Sequence, residues 1–145
     1  MAAVVRSAKT SDVKKIRTII DTYAVERKLL SKETVTLFES VQEFIVAEVR
    51  TVAVVGKMHG KGIGHLILES ILAKAKEVGV KKVFCLTFET KFFGSHGFVE
   101  IQGAPVDPEI YAQLLRSYDE GIAEFLDLES VKPNTLGNTR MLKIL

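Results

Sequence analysis

Apolar positions along this chain recur at two spacings, and the changes from one spacing to the other mark out its elements. Residues 2–6, with Val4 and Val5 at their centre, read as a first strand. Thr10, Ser11 and Asp12 then offer helix caps, and Val13, Ile16, Ile19, Ile20 and Tyr23 follow at the three- and four-residue spacing of one helix face. The stretch from Leu29 to Val41 holds a second, shorter helix. A strand begins at Phe44–Ala47, and Thr51–Val55 reads as a buried strand. Ile63, Leu66, Ile67, Ile71, Ala75 and Val78 trace a long amphipathic helix, which Gly79 is placed to end. Val80–Phe88 is the next strand, Thr90–His96 a short helix closed by Gly97, and Phe98–Gln102 a returning strand. Asp107 followed by Pro108 opens a helix carrying Ile110, Leu114 and Leu115, and Arg140–Leu145 ends the chain as a strand. The order is mixed α/β, without internal repeats.

Composition narrows the class. At 145 residues the chain has the usual size of one domain, and 47% hydrophobic with 26% charged residues is ordinary for a folded protein. A net charge of +2, with Lys and Arg scattered, argues against a nucleic-acid partner. No apolar run reaches the length of a membrane span and no signal peptide is visible, so cytoplasm is the default. The single cysteine, Cys85, excludes an internal disulfide; set between Phe84 and Leu86 it reads as an inert strand thiol. His59, His65 and His96 lack the spacing of metal ligands, so no metal is expected.

The segment from His59 to Gly64, between a strand and a helix, carries the clearest chemistry. Gly60, Gly62 and Gly64 leave the backbone bare where the helix begins, and Lys61 adds a positive charge. Unpaired N–H groups and the helix dipole together favour an anion there. A phosphate or pyrophosphate fits this description; a plain glycine-rich turn is the other reading. Two nucleotide motifs fail on position. A Walker loop needs four residues between its first Gly and the Gly-Lys pair, whereas only three separate Gly56 from Gly60. A dinucleotide fingerprint needs Gly three residues after Gly62, where His65 stands.

The loop resembles the acetyl-CoA loop of the GNAT acetyltransferase superfamily, usually Gln/Arg-x-x-Gly-x-Gly/Ala, with His59 where the family prefers Gln or Arg. Gly97 and Phe98, after a short helix that follows a strand, are another feature of that superfamily. The resemblance implies an α/β (α+β) GNAT fold: a mixed, mostly antiparallel sheet flanked by helices, with acetyl-CoA as co-substrate. It implies donor contacts from Val52, Ala53 and Val54, and from His59, Gly60, Lys61, Gly62, Ile63, Gly64 and His65. Many members carry a Tyr as general acid four residues before the Gly; Phe93 stands there instead and has no proton to donate.

Four further stretches resemble the acetyltransferase domain of N-acetylglutamate synthases, especially short bacterial forms without an amino-acid-kinase-like domain. They are Arg27–Lys32, Glu48–Val54, Phe84–Thr87 and Asn138–Lys143. The segment around Ala104–Lys132 lies outside the resemblance. The resemblance implies transfer of acetyl to the α-amino group of glutamate or glutamine, the first step of arginine biosynthesis. Glu48 matches the glutamate that deprotonates the amine, and Thr87 a hydroxyl residue assisting the departing thiolate. Lys32 aligns with an arginine that binds substrate carboxylate; Leu30, Thr139 and Arg140 complete the acceptor site. Another amine, a protein N-terminus, or a non-catalytic acyl-CoA-binding regulator are the competing readings. A homodimer is compatible with all of them.

One spacing departs from the family. Its sheet carries a hairpin between the strands that start here at Phe44 and Thr51, yet Phe44–Val55 runs without turn residues. Roughly twenty residues of strand and turn, by ordinary element lengths, are wanting near Ala47, Glu48 and Val49. Either the sheet is shortened or a segment lies outside these 145 residues; the second is preferred, because losing a central strand exposes two sheet edges.

Overall fold

The structure is a computed structural model that describes residues 3–26, 32–49, 62–128 and 137–145. The expected strand at Thr51–Val55 therefore lies outside the described residues. The chain forms two compact units, one of Met1–Arg17, Lys32–Lys81 and Leu145, the other of Thr18–Ser31 and Lys82–Ile144.

In the first unit, strand β1 (Ala3–Ser7) pairs antiparallel with β2 (Ile45–Val49), with Val4 opposite Glu48 and Arg6 opposite Val46. Helix α3 (Ile63–Glu77) packs against both strands. Helix α1 (Val13–Val25), which belongs to this unit up to Arg17, follows a single 3₁₀ turn at Thr10–Asp12 and buries Val13 and Ile16. Its start is fixed by Asp12, whose carboxylate accepts the Lys9 N–H at 2.8 Å. The second, shorter helix expected within Leu29–Val41 lies in the later part of that stretch. It is α2 (Thr34–Glu39), with Leu37 buried, followed by a 3₁₀ turn at Val41–Glu43.

The end of α3 follows from Gly79. Its φ of +85° lies in the left-handed region, which costs L-residues with a Cβ but not glycine. Gly79 N–H then reaches the Lys76 carbonyl at 3.1 Å and Val80 N–H the Ala75 carbonyl at 2.9 Å, satisfying the helix's last acceptors. Lys74 and Lys76 in the last turn suit the dipole.

The second unit is built on β5 (Thr139–Ile144), which lies between β3 (Lys82–Thr87) and β4 (Val99–Glu100) in an antiparallel sheet. Its interior holds Phe98, Leu126 and Met141. Helix α4 (Thr90–Ser95) ends in the same way as α3, with Gly97 at φ +85° and its N–H on the Gly94 carbonyl, while Phe98 N–H bonds the Phe93 carbonyl. Phe93 and Phe98 meet edge to face at 5.4 Å, closing the apolar contact of this cap. A side chain at Gly97 would also collide with Lys143, whose Nζ donates to the His96 carbonyl at 2.7 Å.

Helix α5 (Pro108–Leu114) starts at Asp107 and Pro108 as the spacing predicts. The strand expected over Phe98–Gln102 shrinks to Val99–Glu100, because the chain turns at Gly103, φ +68°. Helix α6 (Glu120–Phe125) has no counterpart in the sequence reading. Its signal was Asp119, whose carboxylate caps it by accepting Ile122 N–H at 3.0 Å.

Candidate active site

The N-terminus of α3 is built as the glycine spacing suggests. Gly62 is its N-cap at φ +74°, and among the described residues no side chain caps the first turn there. The first-turn N–H groups over Ile63 and Gly64 have no acceptor within the helix, and no acidic residue occupies that turn. Among the described residues nothing lies within 4 Å of a Cβ placed on Gly62, and its left-handed backbone angle favours glycine there. Fifteen residues of helix stand behind this terminus, with His65 also in its first turn. His59, Gly60 and Lys61 of the loop, and Val52, Ala53 and Val54 of the strand, lie outside the described residues.

Glu48 stands on β2, opposite Val4, one residue before the strand's end. Its Oε2 accepts Nε–H of Arg6 at 3.2 Å. The Arg6 fork is taken by Asp12, with Nη1 to Oδ2 at 2.8 Å and Nη2 to Oδ1 at 3.1 Å. The Arg6 guanidinium and the Lys9 N–H hold the Asp12 carboxyl down at about 2, and the same bonds push Arg6 up from its ordinary value. Asp12 drew notice in the sequence only as a cap, and Arg6 drew none. The available signal was a lone cation following Ala3, Val4 and Val5 in β1.

Thr87 ends β3 directly opposite Thr139 on β5, so the strand pairing brings two of the expected site residues together. Thr87 is buried, and its Oγ1 accepts the Glu89 N–H at 2.8 Å. A hydroxyl that accepts in this way keeps its own proton to donate. Thr139 is half-buried.

Arg140 is drawn inward. Nε–H donates to the Gly103 carbonyl and Nη1–H to that of Glu124, both at 2.9 Å, and Nη2–H donates to that of Phe125. The guanidinium also lies over the Phe84 ring and 3.9 Å from the Asp127 carboxylate. This gives Arg140 a structural task, fastening the end of α6 to β5. Beside it Glu124 is buried, with Oε2 lacking a hydrogen-bond partner among the described residues. Lys32 is half-buried just before α2, and Leu30 lies outside the described residues.

Two other groups bear on the chemistry. Burial pushes the Cys85 thiol up to about 11, so it stays protonated near neutrality and makes a poor nucleophile. Among the described residues, no group of His, Cys, Asp and Glu is arranged to hold a metal ion, and no helix is long and apolar enough to cross a membrane.

A helix terminus capped by a left-handed glycine, at the end of a glycine-rich stretch, suits an anionic co-substrate such as an acyl-CoA. Residues 34–104 match the acetyltransferase (GNAT) family. An amino-acid acetyltransferase of Mycobacterium tuberculosis is 49% identical, over 98% of this chain and 94% of its own length. An uncharacterized N-acetyltransferase of Chlorobaculum tepidum is 31% identical over 68% of this chain and 76% of its own. The crystal structure of Rv2747 from Mycobacterium tuberculosis, in complex with CoA and NLQ, superposes with a TM-score of 0.91 at 47% identity, covering 98% of this chain and 99% of that one. The N-acetylglutamate synthase of Neisseria gonorrhoeae, complexed with coenzyme A and N-acetyl-glutamate, shares the fold at a TM-score of 0.71 and 17% identity; this chain spans 35% of it. The chain belongs to the GNAT acetyltransferase family. It is thus an acyltransferase with acetyl-CoA as its co-substrate.

Proposed function

We propose that the protein transfers the acetyl group of acetyl-CoA to the α-amino nitrogen of an amino acid, glutamate or glutamine, as the entry step of arginine biosynthesis. The observation that carries this is the 49% identity to an amino-acid acetyltransferase along 98% of the chain. The relative solved with CoA and NLQ, at 47% identity, supports it.

In this reading the anionic part of the donor rests on the backbone amides that begin α3. Backbone N–H groups of Val52–Val54 receive the thioester oxygen. Glu48 takes a proton from the acceptor's ammonium, the freed amine attacks the carbonyl carbon, and the tetrahedral intermediate expels the thiolate. The Thr87 hydroxyl donates a hydrogen bond to the departing sulfur, the second proton of the attacking nitrogen passes to that thiolate, and coenzyme A leaves as the free thiol while Glu48 returns its proton to solvent. Lys32 receives an acceptor carboxylate as a point charge. Leu30 and Thr139 shape the acceptor site, and Arg140 serves it through the backbone it fastens.

All 145 residues are read as one GNAT domain from which a hairpin near Ala47–Val49 is missing. The alignment to the Mycobacterium tuberculosis enzyme runs over 165 positions, 20 more than the 145 residues of this chain, which supports that reading. The test of function is free-thiol release from acetyl-CoA across the common amino acids. Release dependent on glutamate or glutamine is expected; release with neither, but with a polyamine or a peptide N-terminus, would reassign the acceptor.

A further inference from the structure

We propose that Arg6 is a positioning residue for Glu48, and that Asp12 sets how much of the arginine's charge the glutamate receives. The proposal rests on Glu48 being the base. Neither residue belongs to the stretches that carry the acetyltransferase resemblance.

The strands place the three groups together. Side chains alternate along a strand. Ser7 and Ile45, opposite each other, line a small cavity with Ile71 and Lys74 of α3, so that face of the pair belongs to α3. Arg6 and Glu48 occupy the alternate positions and emerge on the other face. Arg6 is paired with Val46 and Glu48 with Val4, which makes them diagonal neighbours within reach of long side chains.

The guanidinium is then divided. Its two Nη groups are engaged by the Asp12 carboxylate in a bidentate fork, and Asp12 is itself tied to the Lys9 backbone. That leaves the Nε edge for Glu48. Position passes from backbone to Asp12, to Arg6, to Oε2 of Glu48.

A general base must be ionised when substrate arrives and aimed when the proton moves. A guanidinium keeps its charge throughout the working pH range, so it meets both needs at once. A full neighbouring cation would weaken the base. Asp12 offsets part of that charge. Among the described residues, Arg6 on β1 forms an ion pair with Glu48, and Asp12 in the turn after β1 forms one with that same Arg6; Lys15 of α1 acts on Asp12. The side chain of Glu48 is 44% exposed and that of Arg6 27%, so solvent screens the pair and modest effects are expected.

The experiment measures kcat by thiol release between about pH 5 and 9 for wild type and single variants whose fold is checked by circular dichroism. Arg6→Gln should move the acidic limb upward by roughly half a pH unit or more, with little change in the amino-acid KM. Asp12→Asn should move it downward, since Glu48 then receives more of the cation. Arg6→Lys, which keeps charge without the fork, should fall between wild type and Arg6→Gln. Glu48→Gln separates the two levels of the claim. Wild-type rates in Glu48→Gln would overturn the base and this proposal together. A slow Glu48→Gln enzyme beside unmoved limbs in Arg6→Gln and Asp12→Asn would overturn the proposal alone, leaving a purely structural ion cluster. If Arg6→Gln does not fold, the downward shift in Asp12→Asn decides.

Discussion

Lys32 and Glu48 make opposite demands on a kinetic experiment. In the proposed function Lys32 binds the acceptor in the ground state, and on that reading Lys32→Met should raise the amino-acid KM by about ten- to a hundredfold, the scale of one charge-assisted contact of roughly 1.5–3 kcal/mol. The KM for acetyl-CoA should stay put; parallel rises would make Lys32 structural. The proposed base, Glu48, would act on the path to the transition state, and on that reading Glu48→Gln should lower kcat at neutral pH by about a hundredfold or more. Part of the loss should return as pH rises and more amine is already neutral. Asp12 carries a separate pH signature. Its carboxyl, ordinarily at 3.8, lies at about 2 in the folded chain. It therefore holds fewer protons folded than unfolded, and its stabilisation is complete above the unfolded value. That stabilisation fades as pH falls from there toward 2. Urea midpoints measured between pH 5 and 3 should decline more gently in Asp12→Asn than in wild type.

Among the elements, those ended by glycine were the most legible. Gly79 and Gly97 announced where α3 and α4 stop because a left-handed residue after a periodic run has one economical use, and both hold the same pair of closing hydrogen bonds. The apolar spacing of α3 and the Asp107–Pro108 start of α5 were equally plain. Helix α6 escaped because no glycine closes it, as Gly97 closes the equally short α4, and its one clear sign was the Asp119 cap. In the site, the glycines before α3 could be read because glycine has few reasons to cluster there. The Thr87–Thr139 pairing needed strand register, which no local pattern supplies. Arg140 was read as a substrate cation, yet its three carbonyl acceptors come from residues 103, 124 and 125, distant in sequence and invisible to local spacing. Arg140→Met should destabilise the protein by about 2–4 kcal/mol, since buried carbonyls lose their donor. A thermal midpoint indistinguishable from wild type would show that the fastening is idle.

For the molecule as a whole, donor binding can be read as stability. A ligand that binds only the folded state adds RT ln(1 + [L]/Kd), about 2.7 kcal/mol at a hundredfold excess over Kd. Acetyl-CoA should therefore raise the unfolding temperature of the wild-type chain. Gly62→Asp should abolish that rise, because it sets a carboxylate against the donor's anion at a left-handed position. Calorimetry would check the same loss directly; a rise equal to wild type would move the donor site away from α3. The measurement also bears on the hairpin, since a chain 20 positions shorter than its alignment must still close a donor site to gain this stability.

An enzyme that gathers a reactive thioester puts its own lysines within reach of it, and the cap on α4 has a consequence for that slow self-modification. Lys143 is half-buried, with its amine hydrogen-bonded to the His96 carbonyl and lodged against Gly97. Lys81 and Lys82, by contrast, are exposed. Acylation of Lys143 would erase a charge and put bulk where a glycine was needed to make room. Its place in the fold shields it from that damage, so the lysine whose loss would loosen α4 should be among the last that the protein's own donor reaches.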